Sequence, residues 1–427
     1  MKPFCFLHAA DLHLDTPFAG IAEVAPALQQ RLRDASLSAF DNLIRTAIER
    51  RVEFVVLAGD IYDGAERGTR AQVRFLNGLR ELDKHGIQSF FIHGNHDPVG
   101  EGWSALRRED FPGSVVLFDQ SDQVVSTPVQ RNGEIIAVVH GISFRTRHET
   151  RNLSRLFPDQ RAGGPWHVGL LHCNVGGVGE HDNYAPCTIE DLCSRGMDYW
   201  ALGHIHKRQV VREAAPCIHY PGNLQARGFD ECGAKGATLV RVHGPGQVEL
   251  EFVAADEIRF SRIEADVAGC ESLDQVFGRC EEAIATELSG NDGRFVLIRL
   301  QIAGQASVHV TLQQAAASDD DGLLTALRDR LPADRVWLDS VRLGTLPIVD
   351  RDQLASATGF ESALVKQSNE WLASEEKLAE FLKRVQQPLR TGNRFRDFLD
   401  ELPACDKRRL LEAEGRLLSL LQAEDQP

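Results

Sequence analysis

Short apolar runs alternate with stretches of helical period through the first 255 residues. Phe4–Leu7, Phe54–Leu57, Phe90–Ile92, Val168–Leu171 and Tyr199–Leu202 are strand-sized and almost wholly apolar, the pattern of strands buried on both faces. Between the first two, Leu28, Leu32, Ala35, Ala39, Leu43 and Ala47 recur at helical spacing and predict a helix over about Ala25–Arg50. Another is predicted over Thr69–His85, stopped by Gly86 as its C-cap, and strand Ile87–Ile92 follows. Val115–Phe118, Ile135–His140, Val210–Arg212, Ile218–Tyr220, Ala237–Val242 and Val248–Phe252 read as further strands. Two sheets stacked face to face with helices on both outer sides, a four-layer αββα sandwich, is the economical α/β packing for that count.

A second pattern begins at Ile258. Strand Arg259–Asp266, helix Ser272–Leu288, strand Phe295–Ile302, helix Asp321–Leu331 and strand Val336–Leu343 make a small α+β module. Beyond Pro347 the chain is charged and helical, over Gln353–Ala357, Ala363–Leu372, Glu375–Val385, Arg394–Leu402 and Lys407–Leu421. Leu410, Leu411, Leu417, Leu418 and Leu421 give the last helix an apolar stripe, a packing face or a partner-binding one. The expected domains are therefore 1–257, 258–347 and 348–427.

Composition narrows the class. A hydrophobic content of 43% with 26% charged residues excludes a largely disordered chain. No apolar run is long enough for a membrane helix, and no signal-peptide pattern follows Met1. The nine cysteines form no CxxC pair, which excludes a zinc ribbon and points to reduced thiols in the cytoplasm. A net charge of −15 argues against a polyanionic partner. Local basic groups argue the other way: Arg145, Arg147, Arg151 and Arg155, then Lys207, Arg208 and Arg212. Of these, Arg145, Arg147, Lys207 and Arg208 are the candidates for holding a phosphate backbone.

The chemistry lies where the strands end. Five apolar runs are each followed by metal-ligand residues: Asp11-Leu12-His13, Gly59-Asp60, Gly94-Asn95-His96-Asp97, Leu171-His172 and Gly203-His204-Ile205-His206. Groups at strand ends project into the crevice beyond the carboxyl edge of a sheet. Singly, Asp11 or Asp60 reads as well as a helix cap, Asn95 as a turn former and His172 as a core imidazole. Together, seven such residues at five strand ends suit two divalent cations and phosphoester hydrolysis. Asp11, His13 and His206 would take one ion, Asn95, His172 and His204 the other, with Asp60 between. Mixed oxygen and nitrogen donors without thiolate suit Mn²⁺, Fe²⁺ or Zn²⁺, and Mn²⁺ is expected to serve best. His96 is the expected proton donor to the leaving oxygen, with Asp97 holding its ring.

These motifs, D-x-H, G-D-x-x-D, G-N-H-D, a lone His after a strand and G-H-x-H, resemble the calcineurin-like metallophosphoesterase family. Within it, His8–Asp15, Gly59–Gly64, Asp198–His206, Tyr220–Gln225 and Gly233–Ala237 are most similar to the SbcD- and YhaO-type bacterial repair nucleases. The resemblance implies a manganese-dependent 3′–5′ exonuclease on double-stranded DNA with single-strand endonuclease activity. It also implies a homodimer at the nucleoid, a capping domain that positions DNA, and a partner ATPase of the coiled-coil repair type. Asp63 stands where some relatives carry a histidine that assists the transition state. Two rivals are a small-molecule phosphodiesterase or nucleotidase and a protein-binding scaffold without activity.

Overall fold

The computed structural model describes residues 2–18, 26–64, 68–101, 104, 106–159, 164–176, 183–317, 322–391 and 407–424. Strands β1 (Phe4–Ala9), β2 (Phe54–Ala58), β3 (Gln88–Ile92) and β4 (Val115–Leu117) run parallel as neighbours. β5 (Val125–Arg131), β6 (Glu134–Gly141), β7 (Trp166–His172), β8 (Tyr199–Gly203), β9 (Gln209–Arg212) and β10 (Cys217–Tyr220) build another sheet. β11 (Gly236–Gly244) joins the first sheet antiparallel to β1, and β12 (Gln247–Ala254) pairs antiparallel to β11. The orders are β12-β11-β1-β2-β3-β4 and β5-β6-β7-β8-β10-β9.

Side-chain alternation turns these strands into layers. Phe4, Phe6, Phe54, Val56, Phe90 and Ile92 point from the first sheet onto Val139, Trp166, Val168, Leu170, Tyr199 and Ala201 of the second. Phe6 stacks on Phe54 with centroids 4.6 Å apart and meets Tyr199 edge-on at 5.4 Å. The alternate residues Leu7, Val55, Leu57 and Phe91 face Leu37, Phe40, Leu43, Phe75 and Leu79 of helices α1 (Pro26–Glu49) and α2 (Thr69–Lys84). The far side of the second sheet is covered more thinly than expected. There Leu171, Trp200 and Leu202 pack with Leu153 and Phe157 around a 3₁₀ turn and with Leu192 of the five-residue α3 (Ile189–Cys193).

Strand β5 has no expected counterpart, because Pro128 sits inside it. β5 is an edge strand, where a residue without an N–H is tolerated. Beyond it come β13 (Ile258–Asp266), β14 (Phe295–Gln305) and β15 (Val336–Leu346), a three-stranded sheet in that order. Helices α4 (Leu273–Ser289), α5 (His309–Ala317) and α6 (Gly322–Arg328) accompany it, α5 unanticipated because its apolar residues show no helical spacing. Chain contacts divide the protein into Met1–Arg262 with Leu288–Ile298 and Asp334–Asp339, and Ile263–Glu287 with Arg299–Ala333 and Ser340–Pro427.

In the second unit, α7 (Arg351–Ser356) is tied to α10 (Lys407–Glu424) by Arg351 on Glu414 at 2.8 and 3.0 Å. Trp371 of α8 (Phe360–Leu372) stacks on Phe381 of α9 (Glu375–Thr391). Leu410 and Leu418 of the α10 stripe are buried, whereas Leu417 is exposed. The expected helix Arg394–Leu402 lies outside the described residues, as does the start of the helix expected from Ala25. Among the described residues, no helix is long and apolar enough to cross a membrane.

Three core histidines make the fold sensitive to acid. Burial and the neighbouring His219 hold His8 well below the usual imidazole range. Burial and His167 push His140 down to about 4, and burial with the charge of Arg208 takes His219 to about 3. All three are neutral when folded and take protons near 6.5 once unfolded. Their contribution is complete above pH 6.5 and drains away as pH falls toward 4 and 3. Urea unfolding of EDTA-treated protein should therefore show lower stability at pH 5 than at pH 7, each group adding roughly 1.4 kcal/mol per pH unit at most. Equal stability at both pH values would mean that the folded state accepts these protons.

Candidate active site

The five expected strand ends meet at one rim. β1, β2 and β3 are adjacent parallel strands, β7 and β8 are parallel neighbours in the facing sheet, and all five end on the same side. Backbone bonds then fix the loops: Asp11 N–H donates to Gly59 O at 3.1 Å and His13 N–H to Asp60 O at 3.0 Å. Asp11, His13, Asp60 and His204 all have positive φ, at 51°, 43°, 50° and 101°. Each non-glycine residue held there stores on the order of 1–2 kcal/mol, and such strain concentrates at functional sites. Close approach demands glycine beside them. A Cβ on Gly203 would overlap the carbonyl oxygen of Ala58, and one on Gly94 would overlap Asp60 Oδ1.

Donor atoms converge in three clusters: Asp11 with His13 and His206, Asp11 with Asp60 and His172, and His13 with Asp63 and His96. His13 Nε2 and His206 Nε2 stand 3.1 Å apart. Two donors about 2.1 Å from one ion at right angles are separated by about 3 Å, so this pair fits one cation. His172 Nδ1 donates to Ala58 O at 2.9 Å, leaving Nε2 toward Asn95 Oδ1 at 2.9 Å and Asp60 Oδ2 at 3.4 Å. His206 Nδ1 likewise donates to Glu231 Oε1 at 2.6 Å. Bonding at Nδ1 fixes the tautomer whose Nε2 lone pair faces the site.

Asp60 lies 3.9 Å from His13 as well as 3.4 Å from His172, a span that suits the bridging place expected for it. Asp11 has the same reach, since it belongs to two of the three clusters. His204 donates its backbone N–H to both Asp11 oxygens at 3.1 Å. Its ring rests 5.3 Å from that of His172 and 5.6 Å from that of Tyr184, on the second cluster's side.

The electrostatics suit cations. Burial would raise the carboxyl of Asp60, but His172 and His13 outweigh it and hold it far below the usual carboxylate range. Burial would lower His172, yet Asp60 and Asp11 push it up to about 9. Burial, aided by the neighbouring Asp60 charge, raises Asp11, and burial, aided by His206 and Arg227, lowers His13. Without metal, a proton on His172 therefore balances the Asp60 carboxylate. Cations binding here would replace that proton.

Asp97 does not take the place expected beside His96. Its Oδ1 accepts Gly94 N–H at 2.8 Å, and its Oδ2 accepts Ile61 N–H at 3.0 Å and faces His93 Nδ1 at 3.0 Å. Asp97 thus ties the β2 and β3 loops together from beneath. The carboxylate beside His96 is Asp63, whose Oδ1 is 2.6 Å from His96 Nδ1, off the line of the ring N–H. His96 donates its backbone N–H to Asp60 Oδ1 at 2.9 Å, which keeps the residue on the rim.

The basic groups are largely engaged. Arg145 is 3.7 Å from Asp122, Arg151 pairs with Glu149 and Asp122, and Arg155 pairs with Asp191. Arg147 is exposed, its backbone N–H bonded to Glu101. Lys207 and Arg208 are exposed directly after His206, with the Arg208 guanidinium 5.7 Å from the Phe252 ring. Sequence reasoning missed Arg227 and Glu231, because nothing in their spacing marks them.

The geometry predicts the relatives. A calcineurin-like phosphoesterase model matches residues 5–208, and the middle domain of metallophosphoesterase YhaO matches residues 260–346. The metallophosphoesterase YhaO of Bacillus subtilis is 33% identical over 342 residues, 79% of this chain and 80% of that protein. The chain belongs to the YhaO-type calcineurin-like metallophosphoesterases. This metallophosphoesterase is therefore a hydrolase of phosphoesters, and its family implies divalent metal ions. It is 26% identical over 330 residues to the DNA double-strand break repair protein Mre11 of Thermoplasma acidophilum, covering 74% of this chain and 81% of that one. The SbcD component of the nuclease SbcCD of Bacillus subtilis is 23% identical over 264 residues, covering 55% and 65%.

Proposed function

We propose that this metallophosphoesterase is a DNA repair nuclease that cleaves phosphodiester bonds at the rim, as a 3′–5′ exonuclease on duplex DNA and an endonuclease on single strands. The observation that carries the chemistry is the convergence of His13, His206, Asp11, Asp60 and His172 within two adjoining donor clusters. Asp11, His13 and His206 would hold one ion, Asn95, His172 and His204 the other, with Asp60 and Asp11 reaching both. Two divalent cations, proposed as Mn²⁺, would activate a water and neutralise charge on the phosphate. His96 protonates the leaving oxygen, with Asp63 Oδ1 2.6 Å from its Nδ1. The exposed pair Lys207 and Arg208, with Arg145 and Arg147, receives the flanking phosphates.

DNA as substrate draws its support from relatives named as a double-strand break repair protein and as part of a nuclease. By the same likeness, residues 258–347 act as a capping domain, residues 348–427 dock a coiled-coil ATPase, and the protein works as a cytoplasmic homodimer. End-labelled duplex and single-stranded DNA, digested across a Mn²⁺ titration, test this. Cleavage should stop with EDTA and fall at least about a hundredfold in His204→Ala. Hydrolysis of a small aryl phosphodiester with intact DNA would instead identify a small-molecule phosphodiesterase.

A further inference from the structure

We propose that the segment from Asn223 to Lys235 is a positioning element for both halves of the site, with Glu231 fixing the ring of His206 and Arg227, through Asp63, fixing that of His96. The inference rests on the two-metal reading above and adds residues to it. Glu231 is surrounded by donors. Its Oε1 takes His206 Nδ1 at 2.6 Å, while Oε2 accepts Asn223 Nδ2 and the Arg227 backbone N–H, each at 2.7 Å. A glutamine there would aim its N–H₂ at a donor whichever way the amide turned. The role therefore needs a carboxylate, and what it holds is the nitrogen opposite to the one that stands 3.1 Å from His13.

Arg227 joins this arrangement to the proton donor. Its backbone N–H holds Glu231, and its guanidinium Nη2 donates to Asp63 Oδ2 at 2.9 Å. The other oxygen of Asp63 is the one 2.6 Å from His96 and 3.7 Å from His13 Nδ1. Lysine at this position would keep the backbone contact and the charge but lose the planar donor aimed along the carboxylate. One residue thus addresses both the ligand and the donor.

The segment is itself anchored from outside the rim. Buried Gln225 accepts from Glu257 N–H at 2.8 Å and Ile258 N–H at 3.2 Å, and donates to Ile258 O at 2.7 Å. Lys235 N–H donates to Asp256 Oδ2 at 2.9 Å, and Gly233 N–H to Phe260 O at 3.0 Å. Lys235 Nζ reaches the backbone oxygen of His206 at 3.4 Å. Groups that orient catalytic side chains work only if their own positions are fixed, and this network fixes them.

Full-length metal-free protein tests the proposal by Mn²⁺ calorimetry and by kcat over aryl phosphodiesters, from p-nitrophenolate to phenolate leaving groups. Glu231→Gln should weaken one of two Mn²⁺ sites by about 10–100-fold. In a His206→Ala background the same change should have little further effect, which also removes any shared loss of stability. Arg227→Lys should keep Mn²⁺ binding and lose activity in proportion to leaving-group basicity, about tenfold or more on the phenolate ester and several times less on the p-nitrophenolate one. Wild-type Mn²⁺ binding in Glu231→Gln, or an equal loss on every ester in Arg227→Lys, would overturn the proposal alone. A wild-type protein that binds no Mn²⁺ would overturn the two-metal reading and this inference with it.

Discussion

Asp60→Asn should reduce hydrolysis of every phosphodiester by at least about a thousandfold while leaving the chain folded. The carboxylate makes two kinds of contact at once, accepting the backbone N–H of His96 through Oδ1 and facing His172 and His13 through Oδ2. An amide of the same shape turns one acceptor into a donor, aimed either at that N–H or at an imidazole nitrogen. It also removes the charge that raises His172. Calorimetry should show fewer than two Mn²⁺ per chain. Because His172 and His13 outweigh the cost of burying this charge, its removal leaves the imidazole proton uncompensated, and the metal-free variant should melt below wild type while remaining folded at assay temperature. Two bound Mn²⁺ and near-normal turnover in Asp60→Asn would remove Asp60 from the bridging place.

His96→Ala should have the second-largest effect, of a different kind. Mn²⁺ stoichiometry and affinity should stay near wild type, because none of the proposed ion-holding contacts uses its ring. Turnover on DNA, whose leaving group is a basic alkoxide, should fall by about 10²–10⁴-fold, the range of a lost general acid. A p-nitrophenolate ester needs no proton on departure and should lose far less. An equal loss on both substrates would make His96 a structural neighbour of Asn95. Loss of a Mn²⁺ site would make it a ligand.

Much of the rim was legible because strand ends are local features. An apolar run such as Phe54–Leu57 announces its own end, and the groups that follow must emerge at the sheet edge. Asp11, His13, Asp60, Asn95, His172 and His206 are found at the strand ends where that reasoning puts them, and the His204 ring stands 5.3 Å from that of His172. Contacts made across the fold were not legible. Nothing near Asp97 shows that its oxygens turn down onto Gly94 and Ile61, leaving Asp63 to face His96. Glu231 meets His206 only because Ala10 and Asn223 are bridged and the loop doubles back. The edge strand β5 was hidden by Pro128, whose missing N–H matters only where another strand would pair.

The most direct test of the two-cation centre is an anomalous-difference map from crystals equilibrated with Mn²⁺. It should show two peaks per chain roughly 3.5–4 Å apart, one at His13 and His206 and one at His172 and Asn95, with Asp60 between them. A single peak, or none among these side chains, would contradict it.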